Sequence, residues 1–340
     1  MSTKRSFVSV EPVTAAVSEV LPGAHRITLG APGVGHVHCY LLAGEEGALL
    51  VDAGAGGRGA EEAWRGVIAR VGARVRAVVV THMHVDHLGG VAAAASAAGG
   101  VPVLQGRLDA EQAREVYGDP AWPRRVARHA AANGLPAEQA AAAEAAWRSL
   151  TAFGRPVPAE PLDPGDRVDG WEVVALPGHA DGHIGLLRGG VLVGGDVLLE
   201  GISPQIGVWP GADSDPLGRY LDTLERLRRR PPRVVLPGHG EPVAAPAARA
   251  AEIAAHHRLR LDAAAAALGP RPRTAHEVSL ALWPAELDPL QRALAVSESL
   301  AHLERLAREG RARPAAAAPG RRGFTAPAAP PRSRGAAPSR

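Results

Sequence analysis

Between Thr81 and Gly90 the chain reads Thr-His-Met-His-Val-Asp-His-Leu-Gly-Gly, which puts three imidazoles (His82, His84, His87) and one carboxylate (Asp86) within six consecutive positions. Neutral imidazole nitrogens suit zinc, iron and similar cations, and a hard carboxylate oxygen beside them suits a second ion or a polarised water. The apolar run Ala77-Val78-Val79-Val80 comes immediately before, so the four groups emerge where a buried strand ends. Alternate residues of an extended segment point to the same side. His82 and His84 can therefore grip one ion while Asp86 and His87, past the bend, face another.

The same arrangement, an apolar strand that delivers Asp or His at its end, recurs four more times. Leu50-Val51 runs into Asp52-Ala53-Gly54, residues 171–176 run into Pro177-Gly178-His179, Val191-Leu192-Val193 runs into Gly194-Gly195-Asp196, and Val234-Val235-Leu236 runs into Pro237-Gly238-His239-Gly240. In layered α/β proteins ligands bind at the C-terminal edge of the strands. Five such ends imply one shared site.

The elements that must position these residues follow from periodicity. Residues 24–29, 36–43 and 48–51 read as strands, with Gly44-Glu45-Glu46-Gly47 a hairpin signal. An amphipathic helix follows over 60–71, another helix over 89–98, and a strand over 101–105. Residues 108–153 are rich in Ala, Glu and Arg with helical spacing, and read as two or three inserted helices. They carry Tyr117, Trp122 and Trp147 in a chain that is only 4% aromatic, so the insertion is expected to roof the site. The loop 202–215 brings Trp209 as a further pocket residue, ahead of a helix over 217–229. From residue 245 the texture is helical (248–268, 274–282, 288–309), and a short hairpin around residues 311–326 completes a winged-helix-like outline. The domain reading is a loose N-terminus 1–19, a catalytic domain 20–247, a helical winged-helix-like domain 248–326, and a disordered Pro/Ala/Arg tail 327–340.

Composition narrows the classes. A chain of 340 residues with 46% hydrophobic and 21% charged residues can bury a substantial core. The seven arginines after residue 310, with no acid among them, exceed the whole net charge of +3 and leave residues 1–310 at −4, an acidic body unsuited to a polyanion. The one cysteine, Cys39, excludes an internal disulfide framework and fits a reducing compartment. The N-terminus lacks a continuous apolar segment and no stretch approaches a membrane span. The expectation is a cytoplasmic protein without a membrane partner.

The ordered set Asp52, His82-x-His84-x-Asp86-His87, His179, Asp196 and His239 resembles the metallo-β-lactamase superfamily over about residues 20–245. The resemblance implies an α/β fold, an αββα sandwich of two sheets flanked by helices. It implies that His82, His84 and His179 hold one metal and Asp86, His87 and His239 a second, with Asp196 bridging. The count agrees: five imidazoles and two carboxylates exceed one tetrahedral zinc but suit two ions about 3.5–4 Å apart. The expected cofactor is two Zn2+ per chain, with iron or manganese as alternatives. The expected chemistry is attack by a hydroxide shared between the metals, with Asp86 orienting it and passing a proton to the leaving group.

Asp52 and His183 are read as supporting groups that orient ligands, with His183 also a candidate substrate contact. His36, His38 and Cys39 are read as core or rim packing, and Asp181 as a turn residue. His84 argues against the flavodiiron branch, which places a carboxylate there. Residues 274–278 and 301–311 resemble the C-terminal extension of lactamase-beta-like hydrolases, a branch holding both thioesterases and endoribonucleases. The leading function is hydrolysis of an ester, thioester or lactone, with a small-molecule acyl substrate as partner and a homodimer compatible. The alternatives are a metal-dependent endoribonuclease, a glyoxalase II-like hydrolase, an iron persulfide dioxygenase, and a winged-helix DNA-binding regulator. The last is disfavoured because the helix bearing Glu298, Glu304 and Glu309 lacks the donors that base reading needs.

Overall fold

The computed structural model describes residues 15–31 and 35–327. Most of the expected loose N-terminus and all but the first residue of the expected tail therefore lie outside the described residues. Where the two overlap, the first expectation is corrected: Ala16–Leu21 is a strand, β1. It pairs antiparallel with β2 (Ala24–Ala31), and none of its side chains is buried, so it carries no apolar run to reveal it.

The chain continues through β3 (Gly35–Ala43), β4 (Ala48–Val51), α1 (Ala60–Val71), β5 (Val75–Val80), the single turn α2 (Val85–Leu88), α3 (Val91–Ala97) and β6 (Val103–Gly106). The insertion resolves into three helices, α4 (Arg107–Gly118), α5 (Trp122–Ala132) and α6 (Ala137–Thr151), and returns to β7 (Glu160–Leu162). These seven strands form one sheet in sequential order, antiparallel from β1 to β4 and parallel from β4 to β7. The second sheet comprises β8 (Arg167–Val168), β9 (Trp171–Ala175), β10 (Ile184–Arg188), β11 (Val191–Gly195) and β12 (Val234–Pro237), in the order β12-β11-β10-β9-β8, with α7 (Pro216–Arg229) crossing over before β12.

Alternation along the strands builds the layers. In β5, Val78 and Val80 pack outward with Trp64 and Val67 of α1 and Val91 and Ala94 of α3. Ala77 and Val79 face inward, against Val173, Leu186, Val193 and Leu236 of the second sheet. That sheet's other face, Leu192 and Val235, packs on Leu217, Tyr220 and Leu224 of α7 and on Ala250 and Ile253 of α8 (Pro246–Ala266). Helix, sheet, sheet and helix stack as the αββα sandwich.

The helix expected over 89–98 is α3, which begins after Gly89-Gly90. A side chain at Gly90 would lie 2.1 Å from the Ala53 carbonyl oxygen, so the glycines allow close approach of the His loop to the end of β4. The C-terminal part consists of α8, α9 (Ala275–Leu282), α10 (Pro289–Arg308) and the hairpin β13 (Arg313–Ala318) and β14 (Arg321–Thr325). Capping boxes start α9 (Thr274, Glu277) and α10 (Asp288, Gln291). One apolar cluster runs from Leu135, Ala140 and Ala143 of the insertion through α7 to Val278, Leu300, Leu303 and Phe324, so this part shares its core with the sandwich. Among the described residues no helix is long and apolar enough to cross a membrane.

Candidate metal centre

Asp52 follows the end of β4, and its φ of 58° is the left-handed region that a non-glycine residue occupies at a cost. The turn aims its carboxylate across to the neighbouring strand end. Oδ1 accepts from the Thr81 backbone N–H (2.8 Å), and Oδ2 accepts from the Thr81 hydroxyl (2.8 Å) and from His87 Nδ1–H (2.8 Å). Asp52 thus fixes both the start of the His loop and the tautomer of His87.

The other imidazoles are held the same way. His179 Nδ1–H donates to the Gln205 carbonyl (2.8 Å), His239 Nδ1–H donates to the His36 carbonyl (2.6 Å), and His82 Nδ1 lies 3.1 Å from the Thr81 hydroxyl. Each ring ties one nitrogen outward and turns the other inward. On the inner side His84 Nδ1 lies 2.8 Å from His179 Nε2. Asp196 Oδ2 is 3.6 Å from His179 Nε2 and 3.4 Å from His239 Nε2, while its Oδ1 is 3.5 Å from His87 Nε2. Asp86 Oδ2 is 3.3 Å from His239 Nε2 and 3.9 Å from His87 Nε2. Three groups result, His82/His84/His179, His82/His87/Asp196 and Asp86/His87/His239, with one ligand atom per residue within 4.8 Å of the others in each group. Gly238 makes room for this: a side chain there would stand 2.4 Å from Asp196 Oδ1 and 2.5 Å from His87 Cε1.

Electrostatics divide the cluster. Burial holds His82 far below the ordinary imidazole range, with His87, His84 and His183 adding to it, and burial with His179 beside it holds His84 at about 3. Burial would also raise the carboxyls, but for Asp86 the charge of His87 and the bond from His239 outweigh it and hold it at about 2, and Asp196 is likewise held low. His87 and His239 go the other way. Burial opposes their charge, yet Asp196, Asp52 and Asp86 raise His87, and the bonds to Asp196 and Asp86 raise His239 to about 10. Two ionised carboxylates in a buried site call for positive charge. Protons on His87 and His239 supply it, and metal cations would replace those protons.

The donor set fits a pair of metal ions on a direct observation: His82 Nε2, His87 Nε2 and Asp196 Oδ1 are buried, face the cluster and have no hydrogen-bond partner. Imidazoles anchored on one nitrogen, with the protons of His87 and His239 given up to the cations, and inward carboxylate oxygens are what such ions need.

The cluster opens into a cavity of about 600 Å³. Tyr117, Trp122, Val126, Trp147 and Leu150 of the insertion line one side, and residues 202–205, 207 and 209–212, with Trp209, the other. Trp147 and Trp209 meet edge to face at 5.4 Å, closing the roof. The Tyr117 hydroxyl donates to the Met83 carbonyl (2.7 Å). No lysine or arginine is among the lining residues described, whereas Glu115, Asp181 and Glu200 are.

Residues 32–239 match the metallo-beta-lactamase superfamily, and residues 261–326 match the metallo-beta-lactamase-like C-terminal domain. The chain belongs to the metallo-beta-lactamase superfamily. It is 30% identical over 294 residues, 81% of this chain and 89% of the relative, to the Probable metallo-hydrolase YqjP of Bacillus subtilis. A crystal structure of a metallo-beta-lactamase family protein from Thermus thermophilus superposes with a TM-score of 0.77 at 32% identity, over 91% of this chain and 100% of that one. A beta-lactamase domain protein from Burkholderia ambifaria gives a TM-score of 0.81 at 26% identity, over 94% and 97%. The chain carries the His/Asp set of a metallo-hydrolase of this superfamily.

All seven residues read as metal-binding come together, and Asp52 stands behind His87. His183 does not reach the cavity. It stacks on His82 (4.7 Å between rings) and accepts from the Asp196 backbone N–H (3.2 Å), so the reading of it as a substrate contact is corrected. Cys39 is buried, its thiol raised by burial. His36 is more than packing, since it lines the cavity rim and anchors His239 through its carbonyl. Asp181 is more than a turn residue: its Oδ2 accepts from Gln112 of α4 (2.7 Å) and from the Asp213 backbone N–H (2.8 Å), tying both walls together. Sequence reasoning also missed the Gln205 carbonyl and the buried pair Gln105 and Asp109 beneath the His loop. An Asp two residues into an insertion gives no motif to find it by.

Proposed function

We propose that the chain is a metal-dependent hydrolase of an ester, thioester or lactone with an apolar acyl portion. The observation that carries this is the pairing of a complete His/Asp cluster, its inward atoms without partners, with an aromatic-walled cavity that has no lysine or arginine among its described lining residues. In this reading His82, His84 and His179 would hold one ion and Asp86, His87 and His239 the other, with Asp196 facing both. Zinc is the proposed metal, and iron or manganese are the alternatives. When bound, the ions supply the Lewis acidity that activates water and stabilises charge developing on the substrate oxygen.

The chain's own residues do the rest. Trp122, Trp147 and Trp209 seat the acyl portion and exclude bulk water. Asp86 is ionised at neutral pH and lies within reach of His239, so it can orient a water, accept its proton and return that proton to the leaving oxygen or sulfur. Asp52, Gln205 and His36 keep His87, His179 and His239 in the required tautomers.

Asp181 and Glu200 at the rim, with Glu115 neutralised by Arg125 (2.7 Å), offer no net positive surface to a polyanionic substrate, which speaks against the ribonuclease alternative. α10, the helix a winged-helix reader would insert into DNA, has Val296, Leu300, Leu303 and Leu306 in the core, which speaks against the regulator. A panel of ester, thioester, lactone and RNA substrates, run on the metal-loaded chain and on His82→Ala, tests the proposal. Acyl hydrolysis lost in the variant is expected; RNA cleavage alone, or equal acyl turnover by both, would overturn it.

A further inference from the structure

Away from the cavity, α8 and α10 cross with three titratable side chains in their interface: His257 from α8, and Glu298 with His302 four residues later on α10. One ligand atom from each lies within 4.8 Å of the other two. Both imidazoles are fully buried, and Glu298 is half-buried.

Hydrogen bonds fix which nitrogen of each ring keeps its lone pair. His302 Nδ1–H donates to the Glu298 carbonyl at 2.8 Å, so Nε2 is the bare nitrogen. His257 Nε2 lies 3.2 Å from the Ser203 hydroxyl, which also reaches the Pro204 carbonyl (3.3 Å); with the hydroxyl donating to that carbonyl it accepts Nε2–H, and this tautomer leaves Nδ1 bare instead of burying an N–H that has no acceptor. Both of these nitrogens, His257 Nδ1 and His302 Nε2, are buried and have no partner. Anchoring one imidazole nitrogen on an oxygen while the other faces inward is the arrangement that orients histidines toward a metal.

The charges lack a partner as well. Burial lowers His257 to about 3, helped by His302, His256 and Arg260, and lowers His302 to about 4, so neither ring carries a proton to pair with the carboxylate. Burial raises Glu298 to about 7, and Arg260 is the cation that acts on it. The Arg260 guanidinium, however, donates to the Leu282 carbonyl and lies over the Trp283 ring at 4.7 Å.

We infer that His257, Glu298 and His302 form a further metal site, separate from the catalytic cluster, that takes a first-row divalent cation, zinc foremost. Two imidazoles and one carboxylate are a zinc ligand set with room for solvent in the remaining position. The ion would clamp α8 to α10. Through Ser203 it would also steady the loop whose Gln205 carbonyl anchors His179. The inference does not rest on the hydrolase reading, since it concerns ligands outside the cavity.

Crystals of the full chain grown with Zn2+ and measured at the zinc absorption edge test it. An anomalous difference peak bonded to His257, Glu298 and His302 is expected in addition to density at the catalytic cluster. Zinc at the catalytic cluster with no peak between α8 and α10 would overturn the inference. In solution, wild type dialysed against stoichiometric zinc should hold about one ion more per chain than Glu298→Gln or His302→Gln. Equal zinc in wild type and a folded variant would overturn it too.

Discussion

At the scale of single residues, the site is a set of tautomers as much as a set of ligands. Asp52 is the clearest case, because its Oδ2 receives His87 Nδ1–H and so obliges His87 to turn Nε2 inward. Asp52→Asn offers an amide in place of one acceptor oxygen, which allows His87 to carry its proton on the wrong nitrogen. Metal affinity should fall about 10- to 100-fold, read by chelator competition, with the fold intact by circular dichroism; unchanged affinity would remove Asp52 from this role. Asp109 tests burial. Burial pushes its carboxyl up to about 7 from an ordinary 3.8, against the bonds from the Gln105 amide and the Met83 backbone that favour the ionised form. The folded chain therefore keeps a proton that the unfolded chain releases, so this group's stabilising contribution is present below about pH 4 and is lost as pH rises through about 7. Asp109→Asn, neutral throughout, should gain stability relative to wild type between those pH values, on the order of a few kcal/mol, and hold that gain above them. Melting temperatures across the range decide it, and a gap that does not vary with pH would refute the assignment.

At the scale of elements, the five strand ends were legible because each couples a run of buried aliphatic residues to a chemically conspicuous residue: Val79-Val80 to His82, Leu236 to His239. Helix α1 was legible from its spacing. What escaped has a physical reason in each case. β1 is an edge strand with no buried side chain. The anchors of His179 and His239 are backbone carbonyls 26 and 203 residues away, and a carbonyl has no sequence signature. Asp181 belongs here too, since its carboxylate joins α4 to the loop that carries Trp209. Asp181→Ala should free the two walls from one another and raise KM roughly ten-fold while metal content stays at the wild-type level, because the loop is held elsewhere by the Ser297 hydroxyl on the Val208 carbonyl (2.9 Å). Steady-state kinetics beside metal analysis separate this from a general loss of structure, in which both would change.

At the scale of the whole molecule, two matched regions, residues 32–239 and 261–326, suggest a catalytic unit with a detachable appendage, and the packing argues otherwise. Leu300, Leu303 and Leu306 of α10 are fully buried in the same apolar cluster as Leu135 of the insertion, Leu192 and Val235 of the second sheet, and Leu224 of α7. Removing residues 246–326 would strip α8 from the outer face of that sheet and α10 from the insertion helices that wall the cavity. Each fully buried aliphatic side chain so exposed forfeits about 1.5–3 kcal/mol, and only a few such losses match the roughly 5–15 kcal/mol by which a domain is stable. The Ser297 bond to the Val208 carbonyl would go as well, releasing the loop over the metal cluster. A chain ending at residue 245 should therefore be insoluble, or soluble with far-ultraviolet but no near-ultraviolet dichroism, and should not regain activity when the separate 246–326 segment is added. A well-folded, metal-loaded and active 1–245 fragment would mean that the C-terminal domain is an attachment, whereas the shared core predicts that it and the sandwich fold as one cooperative unit.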